Sequence, residues 1–259
     1  MNRDSSFTIS GVGATLLLEN LYAKVRISAG SPGTATVFIK GGEKVINQFT
    51  VSQPSPDQVV VRGEQVVSDG ISISSVGRGS SVSIGGNIRG STVISGRGSV
   101  VIVNGKVISG GDRVTIIEGD EMPEITIKVP EGTDLKAYGV ETLSSLGLNG
   151  RATLSLSGQD KATICDVRGM KVKCSGQSQC GIEKASGNLN VTTSGQSGLT
   201  VVGDIGDVEA DSSGQSHILI GNCKNFDGES SGQSSISVLG RVTGKVRKHS
   251  SGQSSILAN

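Results

Sequence analysis

The 259-residue sequence predicts an all-β protein: a β-solenoid with coils of about 19 residues, preceded by an N-terminal β region. Three observations lead there. The tetrapeptide Ser-Gly-Gln-Ser recurs from Ser175, Ser194, Ser213, Ser231 and Ser251, and a sixth copy, Ser157-Gly158-Gln159-Asp160, differs only in its last residue. The motif glycines, Gly158, Gly176, Gly195, Gly214, Gly232 and Gly252, are spaced by 18, 19, 19, 18 and 20 residues. Between the motifs, apolar residues fall at fixed offsets. Ala162, Cys180, Leu199, Ile218, Ile236 and Ile256 stand five positions after each motif serine, and Ile164, Ile182, Val201, Ile220, Val238 and Ala258 stand seven positions after it.

The two offsets differ by two residues, which places both sets on one face of a strand. A unit this short cannot bury such a face alone, but it can when stacked on its neighbours at about 4.8 Å per coil. The columns then become ladders of like side chains through a narrow core. A third column runs through Val167, Ala185, Ile205, Cys223 and Val242, and a fourth through Leu189, Val208, Phe226 and Val246. The core must be aliphatic, since there is no Trp and only six residues are Phe or Tyr.

The motif reads as a corner. Glycine can adopt positive φ at a sharp turn, and the flanking serines can bond nearby backbone groups. Gln159, Gln177, Gln196, Gln215, Gln233 and Gln253 then fall in one row, where stacked amides can bond along the stack. These glycines and glutamines are therefore expected to form a structural turn ladder; a ligand-binding row is the functional alternative.

Ahead of the repeats, residues 1–69 read as an N-terminal β region. Ala14–Leu18, Ala23–Ser28, Thr34–Lys40, Phe49–Val51 and Gln58–Arg62 are β-rich runs, punctuated by turns such as Gly30-Ser-Pro-Gly and Pro54-Ser-Pro-Asp. Residues 70–112 form a Gly/Ser/Arg-rich insertion of extra coils or hairpins, with a flexible linker as the alternative. Here Gly77-Arg-Gly-Ser recurs 19 residues on as Gly96-Arg-Gly-Ser. Residues 113–259 hold the solenoid, entered through strand-like Ile125–Val129, Leu135–Tyr138, Leu146–Leu148 and Ala152–Leu156.

The net charge of +1 provides no electrostatic case for nucleic acid or an anionic membrane. No 18-residue apolar run exists, so no transmembrane helix is expected. The opening MNRDSSFTISGVGATLLLENL lacks the pattern of a signal peptide. No catalytic, cofactor or metal site is expected. His217 and His249 are the only histidines, and His217 reads as an exposed ladder residue. The acidic Glu118-Gly-Asp-Glu-Met-Pro-Glu reads as a solvated turn, and Arg241, Lys245, Arg247, Lys248 and His249 as a solvated outer face. Cys165, Cys174, Cys180 and Cys223 match no zinc spacing and read as small buried hydrophobes rather than a disulfide or metal set.

The order of an N-terminal β region, an Ile-Thr-Ile-Lys-Val-Pro segment and coils opening with Ser-Gly-Gln-Ser resembles the head GIN-domain family of autotransporter adhesins. The resemblance covers residues 14–69 and 113–258. It implies a right-handed β-helix and an exported or surface role; with no signal peptide in view, cytoplasmic and virion-associated locations stay open. The family's usual Asp after the turn survives only as Asp160. The expected function is a non-catalytic structural or adhesion-type module, a homo-oligomer pairing through a solenoid end or flank, with a surface glycan or protein as ligand. The alternatives are a carbohydrate-binding or carbohydrate-active β-helix of tail-spike type, and a self-assembling scaffold.

Overall fold

The computed structural model describes residues 2–9, 13–42, 46–63, 81–84, 93–94, 100–103, 106–108, 114–115 and 122–258. These are almost entirely strand and turn. Residues 1–63 with 123–259 form one compact unit, and residues 64–122 a second.

The first unit opens with β1 (Asn2–Thr8), β2 (Thr15–Ala29), β3 (Thr34–Lys40), β4 (Phe49–Ser55) and β5 (Gln58–Gly63). The second unit holds β6 (Ser81–Ile84), β7 (Val93–Ile94), β8 (Val100–Val103), β9 (Lys106–Ile108) and β10 (Val114–Thr115). The chain then returns to the first unit with β11 (Glu124–Val129), β12 (Asp134–Leu146), β13 (Arg151–Leu156), β14 (Lys161–Val167), β15 (Gly169–Cys174) and β16 (Gln179–Ala185). It continues through β17 (Leu189–Thr193), β18 (Gly198–Ser212), β19 (His217–Ser230), β20 (Ser235–Val238), β21 (Val246–Ser250) and β22 (Ser255–Leu257).

Pairing registers resolve the first unit into two ladders. One ladder runs from β5 through the first part of β2 and of β12, then β13, β15, β17, the last part of β18 and of β19, and β21. The other runs from β11 through the last part of β2 and of β12, then β14, β16, the first part of β18 and of β19, β20 and β22. Every pair in both ladders is parallel. From β13 on, each coil crosses one ladder, turns at the Ser-Gly-Gln-Ser/Asp corner and crosses the other. A kink then returns it, and there Ile205 lies opposite Cys223 and Cys223 opposite Val242.

The apolar columns occur at the predicted register: Ala162 lies opposite Cys180, Cys180 opposite Leu199, Leu199 opposite Ile218, Ile218 opposite Ile236 and Ile236 opposite Ile256. Alternation sets which residues enter the core. β15 buries Met170, Val172 and Cys174 and exposes Lys171 and Lys173 between them. Each Val, Leu or Ile so buried stabilises the fold by about 1.5–3 kcal/mol relative to exposure. Phe226, the one aromatic of the repeats, is fully buried against Gly228, where a Cβ would lie 2.4 Å from the ring.

Two of the strand readings change. Ala14–Leu18 and Ala23–Ser28 lie mostly on one strand, β2, which bends at Asn20 (φ 53°) and supplies both ladders. Leu146 ends β12 opposite Ser28, and Gly147–Leu148 leave the strand, because Gly147 (φ 71°) and Asn149 (φ 51°) both take the left-handed conformation. At the N-terminal side, antiparallel β1–β3–β11 and β4–β5 flank the parallel ladders. Arg3 donates to the Phe49 carbonyl at 2.9 Å, and Arg62 pairs with Glu19.

In the second unit β6 and β8 are parallel, with Ser81 opposite Val100, the same 19-residue step as the Gly-Arg-Gly-Ser recurrence. β8–β9 and β7–β10 are antiparallel. Gly77 and Gly96 themselves, and the acidic stretch before Met122, lie outside the described residues.

Candidate functional site

All six motif glycines have positive φ, from 63° at Gly158 to 77° at Gly214 and Gly232. Sterics add a second demand. A Cβ on Gly195 would lie 2.7 Å from the Gly176 carbonyl oxygen, and one on Gly214 2.8 Å from that of Gly195. The corners stack so closely that backbone rests on backbone. Each glutamine N–H donates to the glycine carbonyl of the preceding corner, Gln196 to Gly176 and Gln215 to Gly195, both at 2.7 Å.

The fourth motif residue points inward. Ser197, Ser216, Ser234 and Ser254 each donate to the carbonyl three residues back, at 2.8–2.9 Å. Their hydroxyls also meet the residues that end the incoming strands: Ser212 bonds Ser216 and Ser230 bonds Ser234, each at 2.8 Å, and Thr193 bonds Ser216 at 2.9 Å and donates to Ser212 at 3.0 Å. A column of hydroxyls thus runs beneath these corners, and all those named here have partners, as burial requires. In the first copy Asp160 takes the serine's place and accepts from the Ser157 N–H at 2.8 Å. Burial, against the pull of that hydrogen bond and with a push from Glu141, raises its carboxyl to about 6.

Outside the corner the glutamine amides form a continuous row. Gln177 Nε2 donates to Gln196 Oε1 at 3.3 Å, Gln196 to Gln215 at 3.1 Å, Gln215 to Gln233 at 3.1 Å, and Gln233 to Gln253 at 3.2 Å. All four bonds point the same way, and all five side chains are exposed. Gln196, Gln215 and Gln233 each spend one N–H and one acceptor lone pair inside the row, so the second N–H and second lone pair of each are outside it. Gln159 is exposed at the corresponding position of the first corner.

The outer faces of the two ladders differ. On the β15–β21 side the strands carry Lys171 and Lys173, then Glu209, Asp211, Asp227 and Glu229, then Arg247 and His249. Burial first, and then Glu229, Glu209 and Asp227, raise the Asp211 carboxyl. Asn190 bonds Glu209 at 2.5 Å, Asn225 bonds Asp207 at 2.6 Å, and Arg247 reaches Asp227 at 3.6 Å. A groove of about 490 Å³ runs along this face past Asp207, Glu209, Asn225, Asp227 and Lys245. The β16–β22 side instead carries Gln179, Gly198, His217, Ser235 and Ser255 in its first outer column and Gly181, Thr200, Leu219, Ser237 and Leu257 in its second. Sequence reading missed this polarity, although the signal was present: Asp207, Glu209 and Asp211 alternate with inward residues, as do Asp227 and Glu229.

His217 is exposed and its ring covers Gly198, where a Cβ would lie 2.6 Å from the imidazole. His249 is exposed on β21. All four cysteines are buried and free. Among the described residues no three His, Cys, Asp or Glu side chains gather as a metal site would require, and no helix is long and apolar enough to cross a membrane.

No family model matches the chain, and no curated protein does. Solved structures similar to it include a "putative adhesin" from Parabacteroides merdae, 9% identical, TM-score 0.49, covering 100% of this chain and 96% of that one. Another is a "putative adhesin" from Bacteroides fragilis, 12% identical, TM-score 0.45, covering 100% and 97%. A third is a "putative lipid binding protein" from Parabacteroides distasonis, 10% identical, TM-score 0.43, covering 100% and 96%.

Proposed function

We propose that this chain is a non-catalytic, adhesion-type β-solenoid whose contact edge is the glutamine row from Gln177 to Gln253. The observation that carries the reading is the common direction of four consecutive amide bonds on an exposed corner. Those bonds hold the amides in fixed positions, so little side-chain freedom is lost when a ligand docks. Each coil offers one N–H and one lone pair, repeated at about 4.8 Å. A partner with regularly spaced hydroxyl or amide groups, a glycan strand above all, can engage several coils at once, and weak single contacts then multiply. The likeness of the Ser-Gly-Gln-Ser coils to the head GIN-domain family supports the same reading, as does the stiffness that stacked backbone gives the corner.

The test is a printed glycan array probed with the native chain and with a Gln196→Ala/Gln215→Ala/Gln233→Ala variant. The native chain is expected to bind a defined glycan class. The variant should lose at least tenfold in affinity (about 1.4 kcal/mol) while keeping its melting temperature within a few degrees. Equal binding by both proteins overturns the assignment of the edge. Release of shorter saccharides from any bound glycan overturns the non-catalytic reading in favour of a carbohydrate-active β-helix.

A further inference from the structure

Beneath the corner of residues 175–178 the polar column is interrupted by sulfur. At the end of the incoming strand, where later coils place Thr193, Ser212 and Ser230, this coil has Cys174. At the first inward position of the outgoing strand, where later coils place Leu199, Ile218 and Ile236, it has Cys180. Both side chains point into the core, 2% and 4% exposed, and the two thiols adjoin across the base of the turn. The corner serine differs too. Ser178, unlike Ser197, Ser216, Ser234 and Ser254, has no backbone or hydroxyl partner among the described residues and faces the Cys174 sulfur instead.

We infer that Cys174 and Cys180 are a disulfide-forming pair that staples the two strands across this one corner when the chain folds in an oxidising compartment. The oxidant is a small-molecule disulfide of the glutathione class. The Cys174 thiolate attacks it, forming a mixed disulfide and releasing one glutathione thiolate. The Cys180 thiolate then attacks the Cys174 sulfur, forming the Cys174–Cys180 bond and releasing the second. Two thiol protons are lost, and the two electrons of the pair reduce one glutathione disulfide to two thiols. The Cys180 thiol and the Ser178 hydroxyl both hold Cys174 down, against burial and Asp160, whereas Cys180 is pushed up by Cys174 and burial. Cys165 and Cys223 have no thiol neighbour of this kind: Cys165 adjoins Asp166, at 3.5 Å, and Cys223 is raised by burial alone.

The inference is independent of the glutamine edge. The unfolded native chain is refolded in a glutathione redox buffer, denatured, alkylated without reductant, digested with trypsin and weighed. Cleavage after Lys173 and Lys184 leaves both cysteines in one peptide, residues 174–184. The expected product is that peptide unalkylated and lighter by two hydrogens, with Cys165 and Cys223 alkylated. Double alkylation of residues 174–184, or glutathione retained on Cys174 beside an alkylated Cys180, overturns the inference. The oxidised chain should also melt several degrees above the same chain after reduction; equal melting would show that the bond, if formed, is no staple.

Discussion

The Gly195 α-carbon sits over the Gly176 carbonyl oxygen so closely that a Cβ would lie 2.7 Å from it. Positive φ and contact with the coil below act on the same atom. Gly195→Val must therefore adopt a left-handed conformation and displace backbone, for about 3 kcal/mol or more, and Gly195→Ala loses somewhat less. Thermal unfolding followed by circular dichroism should show the valine variant melting well below the native chain. An unchanged melting temperature would mean that the corners are not backbone-stacked.

Asp160 is the one carboxylate at a motif position that is otherwise serine. Its folded value of about 6 lies above the ordinary 3.8, so the folded state holds the proton more tightly. Stability therefore falls as pH rises from about 4 to about 6 and stays lower above that window. Discounted for solvent screening, the loss is about 1–2 kcal/mol. Asp160→Ser should flatten this slope and stabilise the chain at pH 7.5 by about 1 kcal/mol, measured by urea unfolding at pH 4 and pH 7.5. A variant no more stable than the native chain at pH 7.5 would refute it.

Lys248 occupies the inward column that elsewhere holds Leu154, Val172, Val191, Ala210 and Gly228, and its ammonium donates to the Ala258 carbonyl at 2.5 Å. A charge on a core column opposes the addition of another coil, a known guard against edge pairing. In the 259-residue chain, Lys248→Val is expected to shift self-association to lower protein concentration, read by light scattering behind size exclusion. Identical scattering from both proteins would remove Lys248 from that role.

The columns through Ala162 and Ile164 were legible because the repeat is long enough to show which offsets stay apolar, and alternation then assigns them a face. The corner was legible for the same reason: the second position of every motif copy is glycine. The kink on the opposite side was not, because positive φ there falls on Asp166 and Lys184 as well as Gly203, with no common residue to mark it. Nor could alternation reveal that Thr15–Ala29 stacks on Asp134–Leu146, since pattern assigns faces but not neighbours. The amide row is legible in sequence as an alignment of glutamines, whereas the shared direction of its bonds is a property of the folded corner.

The pairing of β2 with β12 also sets a tempo for assembly. Val25 lies opposite Leu143, so joining them closes a loop of more than a hundred residues, whereas each later coil closes about nineteen. Loop entropy grows slowly with length, yet it must be met before the distant contacts reward it. The C-terminal coils can zip onto one another locally, while the N-terminal crossing waits for its distant partner. A nascent chain halted before residue 134 would thus leave the long strand's inner edge without a template.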